Sequence, residues 1–319
     1  MYRRRCIVLR VRSWWQHIKQ HLVTLLVIAI ILVGSIALII VGYRFAWTGF
    51  NGANKTGKTL WDWLQLLIIP IILAIGGFWL NQIQRGREQR TLERRDKIER
   101  EIALDNQRET ALQAYIDKMS ELLFEKGLRE SQPEDEVRII ARANTLTVLA
   151  GLDADRKGKL LVFLYEARLI NKDVSGGILN LEGANLTAIN LCNANLRRAT
   201  LSNTNLSQAK LSRASLREID LSYAVLEHAD LSYADLSSGY LRSTQLCSAN
   251  LYEADLLKAN LRNANLRHAN LCYANLDEAD LYYADLEGAN LNEATVFAEQ
   301  LNEVKSLKDA TMPDGKIHP

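Results

Sequence analysis

From residue 181 to residue 291 every fifth position is leucine, 23 times without a gap. Two residues earlier stands, as a rule, alanine, as at Ala184, Ala194, Ala249 and Ala289; Ile189, Thr204, Ile219, Gly239 and Thr244 are among the exceptions. A period of five fits neither the 3.6-residue helix nor the two-residue strand. A continuous helix would scatter these leucines around its circumference, and a flat strand would send successive ones to opposite faces. The pattern is consistent with a chain that bends once per repeat and always points Leu and the small residue inward. An array this long predicts a solenoid whose neighbouring repeats share one core, with single turns unable to fold alone. The expected core includes Leu181, Leu186, Leu231, Leu251, Leu271 and Leu291 with Ala249, Ala264 and Ala284.

Runs such as Ala264-Asn265-Leu266 and Ala279-Asp280-Leu281 resemble the A(D/N)LXX units of the pentapeptide-repeat family. The resemblance covers roughly residues 176–301. It implies a right-handed, four-sided β-helix with four repeats per coil, Leu and the small residue filling a narrow interior. Residues twenty apart are then expected to stack, Asn195, Ser215, Asp235, Asp255 and Asn275 forming one column. Asn and Asp, frequent just before Leu, hydrogen-bond local backbone in tight bends, so they are read as turn-formers rather than as a site. Strand spacing sets the coils about 4.8 Å apart. Residues 176–303 are assigned to the β-helix and 304–319 to a C-terminal tail, with the segment from Ala298 to Leu307 as a candidate end cap.

The hydrophobic pattern at the other end is different. Residues 22–42 carry no charge and would form a helix about 31 Å long, against a bilayer core of about 30 Å. A second apolar stretch, 64–80, would span about 26 Å and contains Pro70 and the pair Gly76-Gly77. All six tryptophans, Trp14, Trp15, Trp47, Trp61, Trp63 and Trp79, flank these stretches as an interfacial belt would. The expectation is a transmembrane hairpin over 22–80 after a basic segment, 1–21. Arg3, Arg4, Arg5 and Arg10 before it and Arg85, Arg87, Arg90, Arg94 and Arg95 after it outnumber the cations of the intervening loop. Both termini are therefore expected in the cytoplasm, in an integral membrane protein whose basic clusters meet anionic lipid; in a cyanobacterium this would be the plasma or thylakoid membrane.

Residues 81–175 read as a helical linker and N-terminal cap. Dense mixed charge from Arg94 to Glu101 suits a solvated helix, and Leu112, Ile116, Met119 and Leu123 form a short apolar seam. The seam fits packing on neighbouring helices; it also admits self-association. Ser131 and Glu134 have capping-box spacing ahead of a helix over 137–149, and Asp153 precedes another over 155–169. The segments 141–149 and 163–167 resemble the helical module before the repeats in membrane-anchored pentapeptide proteins of cyanobacteria.

Composition adds little chemistry. The net charge is only +2, and Cys6, Cys192, Cys247 and Cys272 lack metal-ligand spacing. No phosphate-binding glycine loop is present, no cofactor is expected, and Gly176-Gly177 suits a turn into the first coil. Charge along the repeats is uneven: five basic and three acidic residues lie in 181–220, but seven acidic and no basic ones in 277–299. The candidate interaction surface is Tyr273, Asp277, Glu278, Tyr282, Tyr283, Glu287 and Glu293. The expected function is a non-enzymatic, membrane-anchored scaffold presenting a rigid rod to an unknown protein partner. The family resemblance offers an alternative, a DNA-mimic inhibitor of a type II topoisomerase. Residues 176–300 hold fifteen acidic and nine basic side chains, a modest excess for a duplex mimic. A purely structural rod is the third reading, and nucleic-acid binding is not expected.

Overall fold

The computed structural model describes residues 60–172 and 177–319, with side chains from Pro70 onward, and a few isolated positions between 33 and 44. The chain divides into two compact units, Met1–Lys97 and Ile98–Pro319. Helix α1 (Leu60–Phe124) is followed by α2 (Glu136–Gly151) and α3 (Ala154–Glu166), and a short α4 (Ala298–Leu301) lies near the other end.

The two-span hairpin is corrected. Among the described residues no helix is long and apolar enough to cross a membrane. The stretch 64–80 belongs to α1, one continuous helix of 65 residues. Polar and charged residues follow at once, from Asn81 and Gln82 to Arg85 and Arg87. The integral-membrane placement, the cytoplasmic termini and the bilayer as partner fall with that hairpin. The basic segment 1–21, nearly all of 22–42 and the side chains of Trp14, Trp15, Trp47, Trp61 and Trp63 lie outside the described residues.

The repeats form a stack of coils. Parallel bridges join each residue before a repeat leucine to the residue twenty further on, from Asn185 to Asn205 through to Asn275 and Thr295. The column Asn195, Ser215, Asp235, Asp255 and Asn275 is present bridge by bridge. Four repeats of five thus make one coil, as the family resemblance implies.

The repeat around Leu206 shows what holds it. Its amide donates to Val225 O at 2.7 Å, and Gln208 N–H donates to Glu227 O at 2.8 Å, both in the next coil. Asn205 N–H donates to Ala184 O in the previous coil at 3.0 Å. Ala209 N–H closes the corner on Leu206 O at 3.0 Å. The remaining amide, Ser207 N–H, is taken by the Asn205 side-chain oxygen at 3.0 Å. Every backbone donor of the repeat is paired, as a buried ladder demands. Where Asn or Asp precedes the leucine it supplies the one acceptor that the backbone lacks there, at Asp220, Asp235, Asn265 and Asn290 as well.

The interior is filled as the sequence suggests. Leu206, Leu226, Leu246, Leu266 and Leu286 are fully buried, as are Ile189 and Ala209 at small-residue positions. Thr204 and Thr244 enter the core because their hydroxyls donate to Leu201 O at 2.7 Å and Leu221 O at 3.0 Å.

Each corner needs one residue in the left-handed region. It is the second after leucine, with φ of 60° at Tyr233, 56° at Ser248 and 60° at Tyr273, for example. With the alanine-to-leucine bond this is the geometry of a type II turn. A β-branched residue is worst placed there, and no Val, Ile or Thr occupies a corner from Gly183 to Glu293.

The N-terminal end is covered by α2 and α3. Asn190 N–H donates to Ala154 O at 3.2 Å, and Gly158 lies so close to Asn190 O that any Cβ would collide with it. Arg142 bonds the carbonyls of Asn180 and Glu182 at 3.0 and 2.8 Å. Asn171 pairs antiparallel with Ala199, and Leu169 and Ile170 are fully buried. Gly177 takes φ of 86°, while Gly176 lies outside the described residues. Asp153 caps α3, accepting from Arg156 N–H at 3.0 Å. The capping box at Ser131 and Glu134 does not form. The α2 cap is Asp135, and Ser131 instead donates to Leu128 O and accepts from Arg138. The seam of Leu112, Ile116, Met119 and Leu123 packs into the core shared with Leu149, Leu160 and Leu164.

At the other end the bridges continue past the last regular repeat with one extra residue, Asp285 to Ser306 and Asn290 to Thr311. The side chain of Gln300, on α4, donates to Leu276 O and Ala279 O at 2.8 and 2.7 Å. Ala310 is fully buried in the place of a repeat alanine, and a tight turn with Gly315 at φ 78° returns Ile317 to pair with Thr311.

The corner geometry makes a testable prediction. Ser248→Val should cost about 1–2 kcal/mol by crowding its Cβ in the left-handed conformation, whereas Ser248→Gly should cost nothing or stabilise slightly. Urea unfolding of the two variants, followed by circular dichroism, checks the ordering.

Candidate functional site

The twenty-residue coil gives the stack four sides, each reading out every fourth repeat. Side one carries the residues around Leu201, Leu221 and Leu281, side two those around Leu206 and Leu286, side three those around Leu211 and Leu291, and side four those around Leu216 and Leu276. The seven residues of the candidate surface are distributed over all four. Tyr282 and Tyr283 lie on side one, Glu287 on side two, Tyr273 and Glu293 on side three, and Asp277 and Glu278 on side four. Linear proximity from 273 to 293 therefore does not make one patch.

Side three holds the most organised aromatic feature. The rings of Tyr233 and Tyr252 meet edge to face at 5.6 Å, and those of Tyr252 and Tyr273 at 5.7 Å. These pairs have the preferred aromatic geometry. Arg213 continues the row, its guanidinium 5.4 Å from the Tyr233 ring centre. Tyr233 and Tyr273 remain about half exposed, so the ladder is also a surface. A hydrogen bond to Glu253, with lesser help from burial, pushes the Tyr252 hydroxyl up to about 12, so it stays a protonated donor. The ladder was hidden in the sequence because spacings of 19 and 21 only straddle the coil period.

Side one pairs Tyr282 with Tyr283 at 5.3 Å, and Arg262 sits over the Tyr282 ring at 4.4 Å. Lys172 sits over Tyr240 at 3.6 Å.

The acidic run of 277–299 is not a bare anionic surface. Cations from adjacent coils reach it: Lys258 to Glu278 at 3.4 Å, Arg262 to Asp280 at 3.1 Å, Arg267 to Glu287 at 2.8 Å and Lys305 to Asp285 at 2.9 Å. Asp285 is the most enclosed of these carboxylates. Burial tends to raise its pKa, but the Lys305 bond, the Glu287 amide and Arg267 outweigh it and hold the carboxyl below its usual range.

Cys192 and Cys272 share side three four coils apart and so cannot bond, and each accepts a weak hydrogen bond, from Ser212 and Asn292. His268, on side two, covers Gly288, whose φ of 66° and missing Cβ leave room for the ring. Among the described residues no group of three or more His, Cys, Asp or Glu is placed to hold a metal ion.

The pentapeptide-repeat family model matches eight copies over residues 180–217, 209–244, 229–267 and 259–295. Among solved structures, a pentapeptide repeat protein, Rfr23, from the cyanobacterium Cyanothece 51142 is 33% identical over 33% of this chain and 85% of its own, with a TM-score of 0.32. HetL, a pentapeptide repeat protein involved in heterocyst differentiation regulation from Nostoc sp. strain PCC 7120, is 39% identical over 44% of this chain and 63% of its own, with a TM-score of 0.26. QnrB1, a plasmid-mediated fluoroquinolone resistance protein, is 17% identical over 42% of this chain and 72% of its own, with a TM-score of 0.23. No curated protein matches the chain.

The Asp285 environment predicts a pH dependence. A carboxyl whose pKa is lowered by folding adds stability that is complete above its unfolded value, about 3.9, and is lost as pH falls through the folded value. Lys305→Met should therefore lower stability at neutral pH by on the order of 1 kcal/mol and flatten the loss below about pH 4. Thermal unfolding of both proteins as a function of pH measures it.

Proposed function

Because the chain belongs to the pentapeptide-repeat family, we propose that it is a non-catalytic protein-interaction module in which the coil stack is a rigid surface for docking protein partners. The observation that carries this reading is the exposed ladder of Tyr233, Tyr252 and Tyr273 on side three. Tyrosine offers a large amphipathic contact at low entropic cost and is enriched in protein interfaces. Stacked on one another, these rings lose little further freedom on binding. Arg213 at one end and Glu253 and Glu293 beside the ladder supply a polar rim. A convex side of this kind suits a protein surface better than a small substrate, which needs a cleft.

The topoisomerase-inhibitor alternative draws little support. A duplex mimic needs an extended anionic surface, and four of the seven carboxylates in 277–299, Glu278, Asp280, Asp285 and Glu287, are paired with Lys258, Arg262, Arg267 and Lys305. The likeness to the fluoroquinolone resistance protein lies at 17% identity and carries no argument for it.

The reading predicts that Tyr233→Ser, Tyr252→Ser and Tyr273→Ser together reduce recovery of cross-linked partners by at least about tenfold, the scale of one or two lost interface anchors. The full chain, bearing a photo-cross-linker on side three, is the bait in cells of its source. The free energy of unfolding should drop only by about 1–3 kcal/mol, the contribution of the two ring pairs. Unchanged recovery from a folded triple variant would exclude side three as the docking surface. An absence of specific cross-links in the unsubstituted chain would leave the purely structural rod.

A further inference from the structure

Side four carries a charge order that none of the other three sides has. Reading coil by coil, its outward pairs are Arg197-Arg198, Arg217-Glu218, Ser237-Ser238, Leu257-Lys258 and Asp277-Glu278. The bridges from Asn195 through Ser215, Asp235 and Asp255 to Asn275 hold these five pairs in register. The first pair is doubly positive, the last doubly negative, and the middle pair consists of two small uncharged residues.

That order is complementary to its own reversal. A two-fold axis lying across the side at Ser237-Ser238 would turn one stack antiparallel to another. It would keep each outward column facing its own counterpart. Arg197 then meets Asp277, Arg198 meets Glu278 and Glu218 meets Lys258 of the second copy, while Arg217 meets Leu257. Among the residues after the leucines no like charges face one another, and each ionic contact occurs twice; in the column before the leucines the half-buried Asp235 meets its own counterpart at the axis, the one opposing term. A two-fold interface must be self-complementary in this way. Sides one, two and three lack opposite charge clusters at their ends.

We propose that side four is a self-association surface, binding a second copy of this chain antiparallel through these ionic pairs. Arg197, Arg198, Arg217, Lys258 and Glu278 are exposed. Among the described residues the segment before the repeats meets the stack at Asn180, Glu182 and Asn190, at the backbone of Arg198, Ala199 and Thr200, and at Tyr240. Ion pairs within the same side include Arg198 to Glu218 at 3.3 Å, Arg217 to Glu218 at 3.5 Å and Lys258 to Glu278 at 3.4 Å. Exposed pairs of this kind contribute little, so exchanging them for contacts across the interface costs little. Ser237 is buried between its neighbours and Ser238 is half-buried, so the centre of the side is low. Two backbones can approach there until the long Arg side chains reach carboxylates of the other copy.

The two charge clusters lie four coil spacings apart, about 19 Å. A single side of that length buries well under the ~800 Å² per partner of a standard interface. The association is therefore weak, electrostatic and salt-sensitive, with a Debye length of about 8–10 Å at ordinary ionic strength.

The test is sedimentation of the full chain over a range of concentrations at low and high salt. Self-association should weaken at least tenfold as salt rises from about 50 to 500 mM, where screening shortens to a few ångströms. Arg197→Glu with Arg198→Glu should weaken it to the same degree, and so should Asp277→Arg with Glu278→Arg. Mixing the two variants should restore association, because both ionic clusters are complementary in the mixed pair. Combining all four changes in one chain should restore it too. A second measurement does not depend on charge reversal. With the native cysteines replaced by serine, Ser238→Cys should give a disulfide-linked dimer on mild oxidation, and Ser243→Cys, on side one, should not. The proposal is overturned if the chain is monomeric throughout, or if the reversals leave association unchanged. It is equally overturned if the mixture does not recover it, or if Ser238→Cys cross-links no better than Ser243→Cys.

Discussion

The backbone ladder between coils is the constraint from which the rest of the structure follows. Each repeat sends hydrogen bonds to the coil before it and the coil after it, as Asn205 does to Ala184 and Leu206 does to Val225. The ladder forms only if the chain returns to the same place every twenty residues. That in turn requires four equal corners, each closed by one left-handed residue and most of them also by a short amide or carboxylate. The narrow square interior then has room for a leucine and a small side chain per repeat. Larger residues such as Ile189 and Ile219 are tolerated singly. No repeat can satisfy its own donors alone, so stability belongs to the stack and its caps.

The same geometry separates fold from function. Leu, the small residue and the turn-forming Asn or Asp are committed to the coil. The two residues after each leucine, and the ring or charge they carry, are the freest to differ. What those positions present is set by the side on which they fall. Tyr233, Tyr252 and Tyr273 become a ladder because they share side three. Tyr282 lies close to Tyr273 in sequence and yet faces another way.

The repeat region was legible in the sequence because its signal is periodic and local. The leucine period, the inward alanines, the stacked column from Asn195 to Asn275 and the Asp153 cap all follow from short-range rules. The candidate surface was less legible. The run from Asp277 to Glu299 reads as uncompensated acid, but Arg262 and Arg267 reach it from eighteen and twenty residues earlier. Counting charge in a linear window cannot see a partner one coil away. The capping box failed because Ser131 found Leu128 O and Arg138 instead, a tertiary choice that spacing does not encode. The apolar stretch 64–80 suggests a span by its own hydropathy, whereas it is part of the 65-residue helix α1, and among the described residues no helix is long and apolar enough to cross a membrane.

Residue-resolved hydrogen exchange on the native chain tests the central claim most directly. If the inter-coil ladder is the cooperative element, the amides of Leu206, Leu226, Leu246 and Leu266 should share one opening free energy, the global one, and end-coil amides should exchange sooner. Protection that differs from repeat to repeat, or that is no greater for the ladder amides than for solvent-facing positions, would contradict it.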